Sequence, residues 1–274
     1  MKLQIAFITV MLLIATVTAP AFQAQKQSHS TKNVDYRLLK NWNAKPVLKI
    51  PKAFWEYRTD NTVDWKVSLI KGEPVASKVD YNEKHVSPVP FEISNPNRMA
   101  RMGRIVALKV EDGWLIGRDA GEWGGDLYWR SDDGKQSYEI SGQQILGFLK
   151  SKETIFAITG LTHLSLDQGE VLTVSQKTNE HWKTETFRMT KSAPKAIVEG
   201  ENGSLWVLAY RALYKISSRR NQNDLIEFPM PGRYLYPNSM VKTANGDLYM
   251  GMRLGVARLR KGSSFKSMEF LTPE

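Results

Sequence analysis

A short apolar strand signature recurs along the chain at nearly constant spacing, and that regularity limits the folds open to it. It begins near Trp114 (WLIGR), Ile155 (IFAIT), Leu205 (LWVLAY) and Leu248 (LYMGMR), at separations of 41, 50 and 43 residues. The pairs Asp112-Gly113, Asp133-Gly134, Asn202-Gly203 and Asn245-Gly246 read as hairpin turns of type I′, since both residues of such pairs take positive φ readily. Most units carry an apolar strand ahead of the signature, as at residues 105–110 and 196–198. A third strand follows at 127–129, 171–173, 213–215 and 256–258, and a fourth closes the unit, as at 137–140 or 225–228. No stretch of 11 or more residues beyond the N-terminus shows helical periodicity.

A period near 43 residues is that of a four-stranded propeller blade. Four such units run from about residue 102 to the end. Residues 54–93 are less regular, but WEYRT, VDWKVSLI, PVASKVD and FEI supply four more strands and a fifth blade. The same strings also suit a lone hairpin plus a strand that closes the ring. The expected fold is therefore all-β, a propeller of five four-stranded blades, with four blades as the alternative. A ring leaves few exposed sheet edges; a β-sandwich has no reason to repeat at this spacing. Trp55, Trp65, Trp114, Trp129 and Trp206 fall in the expected strands and are assigned to packing.

The first residues carry a different signal. Lys2 precedes an apolar run of about a dozen residues and then Ala19-Pro20-Ala21. That order is the pattern of a secretory signal peptide, spanning residues 1–21, with cleavage after Ala21 or alternatively Ala24. A membrane span needs about 20 apolar residues, and this run is shorter. Residues 22–50 are expected to be a leader, its QKQSHST stretch polar throughout, and 51–274 a single domain. The chain has no cysteine, so it lacks a lipidation site, and a periplasmic or secreted protein that is not a lipoprotein is expected.

The formal net charge is +10. In a cytosolic chain this would point to nucleic acid. The basic residues here are scattered, with clusters at Arg219-Arg220 and Arg258-Leu259-Arg260-Lys261, and export favours an anionic envelope polymer or an acidic protein partner over nucleic acid.

In a four-stranded blade the loops between second and third strands open on the same end as the links between blades, around the central channel. This geometry draws together Asp119, Glu122, Trp123, His163, Arg211 and Arg253 from the loops, and Tyr236 with Asn238 from a link. The string DAGEWGG joins three glycines to two carboxylates and an aromatic. It suits a ligand approached closely by backbone, and equally a bulged turn whose acids bond backbone amides or arginines. His163 is a candidate base or ligand, since imidazole titrates near neutral pH. Arg211 and Arg253 suit a carboxylate or phosphate clamp, or else partnership with Asp119 and Glu122. The sequence has no GxSxG, HExxH, GxxxxGK[ST] or GxGxxG string, and no metal or cofactor is expected.

The stretches APKAIVEGENGSLWVLAYRALYKI and PNSMVKTANGDLYMGMRLGVARL resemble the propeller repeats of two-component-regulator sensor domains. The strings DGWLIGRDAGEWGGDLYW and LYPNSMVKTANGDLYMGMRLGVARL resemble a family of exported bacterial propeller-like proteins without an established activity. Together the likeness covers residues 106–259 and implies fold and address but no chemistry. The expected function is a monomeric, non-catalytic binding module for an anionic envelope component or a protein partner. The alternatives are a hydrolase or lyase, with His163 as base, Glu122 or Asp119 as orienting acid and the two arginines as anion clamp, or an immunity-type inhibitor.

Overall fold

The computed structural model describes residues 35–50, 63–80, 87–93, 103–177, 180–217, 225–230 and 235–273. The expected signal peptide and the WEYRT string lie outside them. The described residues from Asp35 onward form strands, one-turn 3-10 helices and turns.

The strands are β1 (Arg37–Leu38), β2 (Asn43–Pro46), β3 (Trp65–Ile70) and β4 (Glu73–Lys78), then β5 (Arg104–Val110), β6 (Gly113–Asp119), β7 (Gly125–Arg130) and β8 (Ser137–Ser141). They continue with β9 (Gly147–Ser151), β10 (Thr154–His163), β11 (Leu166–Ser175) and β12 (Lys183–Thr190), and with β13 (Pro194–Glu199), β14 (Leu205–Ala209), β15 (Ala212–Ile216) and β16 (Leu225–Pro229). The last are β17 (Ser239–Lys242), β18 (Leu248–Met252), β19 (Gly255–Leu259) and β20 (Glu269–Thr272). Strands β5–β8, β9–β12 and β13–β16 each make a four-stranded antiparallel sheet in sequence order. The order β17-β18-β19-β20-β2 makes a five-stranded sheet and β1-β4-β3 a three-stranded one.

The recurring signature is the second strand of each repeated sheet. Trp114, Ile155, Leu205 and Leu248 each pair on one side with the end of the first strand and on the other with the third strand. These strands carry apolar runs because most of their residues are buried between sheets. β18 is buried at all five positions, whereas β8 contains no buried residue.

The core is a series of inter-sheet layers. Leu115 and Leu127 pack against Ile155, Ala157 and Leu172. Phe156, Ile158 and Val171 meet Val207, Ala209 and Tyr214. Leu208 and Leu213 meet Met250, Ala257 and Phe270. Trp65, Val67 and Ala76 meet Tyr249, Val256 and Leu271. The sheets thus follow one another in the order β5–β8, β9–β12, β13–β16, last sheet, β3–β4. Among the described residues this series is not closed.

Several sequence expectations need correction. Residues 35–50 are not a loose leader. β1 adds to β4, β2 adds to β20, Leu39 and Trp42 enter the layer under β3, and Val47 enters the layer under β19. The FEI string forms no strand; instead the Phe91 ring stands edge-on to Trp114 at 6.3 Å and lies 4.8 Å from the Arg130 guanidinium. VDWKVSLI and PVASKVD do supply a hairpin, β3–β4. Of the four expected type I′ pairs, Asn202-Gly203 alone has both residues at positive φ, and it lies in a five-residue connection. A two-residue turn with both φ positive joins β3 to β4 at Lys71-Gly72.

Candidate functional site

The turns β6–β7, β10–β11, β14–β15 and β18–β19 and the starts of β3, β5, β13 and β17 surround a cavity of about 850 Å³. Every sheet contributes to its wall. Asp119, His163, Arg211, Tyr236, Asn238 and Arg253 all line it, though they come from separate stretches of sequence. Glu122 and Trp123 stand in the turn beside it, with Trp123 64% exposed.

The DAGEWGG string forms a turn around a 3-10 helix, Gly121–Trp123. Gly121 and Gly124 sit at φ +62° and +82°, where a side chain would be strained. Asp119 ends β6, and its Oδ1 accepts a 2.9 Å hydrogen bond from the Gly121 amide. Glu122 projects across to the next sheet, where its Oε2 lies 2.9 Å from His163 Nε2. Both side chains are half-exposed.

The arginines find partners other than the expected acids. Arg211 Nε lies 3.1 Å from Asp167 Oδ2, and Arg253 Nε donates to Asp64 Oδ1 at 2.8 Å. Asp167 is nearly buried and also accepts from the Ser192 hydroxyl at 3.0 Å and the Ala193 amide at 2.8 Å. The Arg253 guanidinium lies 4.2 Å from the Tyr236 ring, which meets Tyr210 edge-on at 5.8 Å. Tyr236 holds φ +44°, a conformation that costs a bulky residue energy and is kept where surroundings impose it. Asn238 is tied down: its Nδ2 donates to the Trp65 carbonyl at 3.1 Å, and its Oδ1 accepts from the Ser239 hydroxyl at 2.8 Å.

Two cations that sequence reasoning missed complete the wall, Arg104 at the start of β5 and Lys195 in β13. Arg104 is open to the water of the cavity yet hemmed in by protein, and Lys195 is half-buried. Burial lowers the pKa of both, against the attraction of Asp119; for Lys195, Asp167 also opposes the shift and Arg104 adds to it. Among the described residues neither side chain makes an ion pair or hydrogen bond. Their signal is positional: each stands in the first strand of its sheet at the end that borders the cavity, a place no local motif marks. Among the described residues no group of three His, Asp or Glu is arranged to hold a metal ion.

No family model matches the sequence, and no curated protein matches it. Among solved structures, similarity is found to virginiamycin B lyase from Staphylococcus aureus, at 12% identity over 88% of this chain and 100% of that one, with a TM-score of 0.45. The extracellular domain of a hybrid two component system from B. thetaiotaomicron is similar at 10% identity over 72% of this chain, with a TM-score of 0.41. The match spans 23% of that longer chain. A puromycin hydrolase is similar at 14% identity over 74% of this chain and 37% of its own, with a TM-score of 0.40. These neighbours comprise a lyase, a hydrolase and an extracellular domain, and at such scores they carry no argument about function.

Proposed function

We propose that this chain is an exported five-bladed propeller that binds an anionic group of an envelope component or protein partner in the cavity at the mouth, without chemistry. The observation that carries this reading is the pair Arg104 and Lys195. The other cationic side chains of the wall are matched, Arg211 by Asp167 and Arg253 by Asp64, and the imidazole of His163 meets Glu122. Arg104 and Lys195 together face one shared carboxylate, Asp119. Among the side chains that line the cavity, Arg104, Lys195, Arg211 and Arg253 stand against the carboxylates Asp64 and Asp119, a positive excess at the wall that a carboxylate or phosphate would neutralise. Tyr210 and Tyr236 supply flat surface beside it. The test is calorimetric titration with polyglutamate, polygalacturonate and neutral dextran. Binding of the two polyanions without binding of dextran is expected, and equal behaviour of all three would remove the reading. Export is tested by N-terminal sequencing of protein from the periplasm or medium, which should begin after Ala21 or Ala24.

A catalytic reading is favoured by one feature, the 2.9 Å contact between His163 and Glu122 at the cavity edge. A carboxylate so placed orients an imidazole for general-base work. Polygalacturonate cut by wild type and left intact by His163→Ala would support it; intact polymer with both proteins would discard it.

A further inference from the structure

Leu164 occupies a position that neither folding nor solubility accounts for. It is 91% exposed and holds φ +52° in the two-residue turn joining β10 to β11. Positive φ disfavours a branched side chain, and Gly or Asn would sit there without strain. Another leucine provides the contrast. In the β18–β19 turn Leu254 holds φ +71°, but its side chain packs against the layer of Met250, Ala257 and Phe270. Burial offsets the strain at Leu254 and does nothing for Leu164.

Leu164 has apolar neighbours of its own kind. Leu166 lies just across the turn and is 48% exposed, and the Glu122–His163 contact brings the turn carrying the exposed Trp123 alongside. Leu164 also lines the cavity that holds Arg104 and Lys195. A shelf of exposed aliphatic and aromatic surface therefore borders a positive hollow. Exposed apolar clusters of this sort mark contact surfaces, and large aromatic side chains commonly anchor them.

We propose that Trp123, Leu164 and Leu166 form a docking shelf for an acidic polypeptide, seating an apolar side chain on the shelf while a neighbouring carboxylate enters the cavity. The inference rests on the anion-binding reading above and adds the class of ligand. A polypeptide fits better than an acidic polysaccharide because two of the three shelf residues are aliphatic. Sugar rings offer flat faces suited to aromatic stacking, whereas peptide side chains offer methyl and ring groups that bury against leucine. Side chains two residues apart lie on the same side of an extended peptide, so one segment can present an apolar group and a carboxylate to the same surface.

The experiment compares a random copolymer of glutamate and tyrosine with polyglutamate and polygalacturonate, titrated into wild type and into a Trp123→Ser/Leu164→Asn variant. Wild type should bind the copolymer at least tenfold more tightly than polyglutamate. In the variant the ratio of copolymer affinity to polyglutamate affinity should fall to about one, with Tm unchanged or raised. Equal affinity of wild type for copolymer and polyglutamate would overturn the shelf while leaving the anion site intact. So would a preference that survives in the variant, or a lowered Tm, which would assign Leu164 to folding. Tighter binding of polygalacturonate than of the copolymer would assign the surface to polysaccharide and overturn the proposal. If neither glutamate polymer binds wild type, the cavity reading falls and the shelf with it.

Discussion

Arg253 donates from Nε to Asp64 Oδ1 at 2.8 Å, joining residues 189 apart in sequence, and the same two residues form an isolated antiparallel bridge. The contact ties the β18–β19 turn of the last sheet to the start of β3. The Asp64 side chain is 3% exposed and that of Arg253 27%. Removing one member of a buried pair leaves an uncompensated charge and costs about 3 kcal/mol or more. Asp64→Asn should therefore lower Tm by roughly 6–12 °C, at the 2–4 °C per kcal/mol expected for a domain of this size. Thermal melts of the purified variant check it; a change under about 2 °C would show that other contacts hold β3 to the last sheet.

Gly251 marks the same seam. A Cβ there would lie 2.5 Å from the Trp65 carbonyl oxygen and 2.9 Å from the Val67 nitrogen, and would strike the Ser239 hydroxyl. That hydroxyl accepts a 2.9 Å hydrogen bond from the Val67 amide. Gly251→Ala must push β18 and β3 apart, and overpacking of this kind costs about 1–3 kcal/mol. A depressed denaturant midpoint is the expected result.

The Glu122–His163 contact should behave differently. Both groups are close to half-exposed, and surface ion pairs contribute about 0–1 kcal/mol. Glu122→Gln and His163→Ala are expected to leave Tm within about 4 °C of wild type. A larger loss in both variants would make the pair a structural clasp and remove it from any site.

Tyr214 governs an alkaline limit. Burial, reinforced by the negative charges of Glu227 and Asp167, pushes its pKa up to about 12. Its hydroxyl approaches the backbone of Lys191 and Ser192 without hydrogen-bonding geometry. Unfolding returns the phenol to its ordinary value near 10, so the unfolded chain gives up the proton first as pH rises. Stability from this residue is fully present below pH 10 and declines between about pH 10 and 12. Tyr214→Phe should flatten that decline while leaving stability near pH 7 unchanged or improved. An identical alkaline profile for both proteins would refute the assignment.

The repeating sheets could be read from sequence because most positions of their second strands are buried. Burial writes continuous apolar runs such as LWVLA and LYMGM, and the period of those runs gives the sheet size. β1 and β2 were not legible for the opposite reason. β2 is NAKP, exposed at every position, and is a strand because β20 offers it an edge. Six of the eight candidate site residues line one cavity because blade geometry, once inferred, names which loops meet. Their partners were hidden. Asp64, Arg104 and Lys195 stand at strand starts whose local sequence is ordinary, and Asp167 pairs with Arg211 across a gap of 44 residues. Charge pairing between sheets leaves no trace in spacing along the chain.

The central claim is tested most directly by removing the two cations that lack partners. Arg104→Met with Lys195→Met keeps an unbranched apolar stem at both positions but removes both positive charges. Calorimetric titration of polyglutamate into wild type and this double variant, with Tm measured in parallel, gives the answer. The expected result is at least a tenfold loss of affinity with Tm unchanged or higher, since two partly desolvated charges are gone. An affinity equal to wild type would contradict the anion-binding cavity.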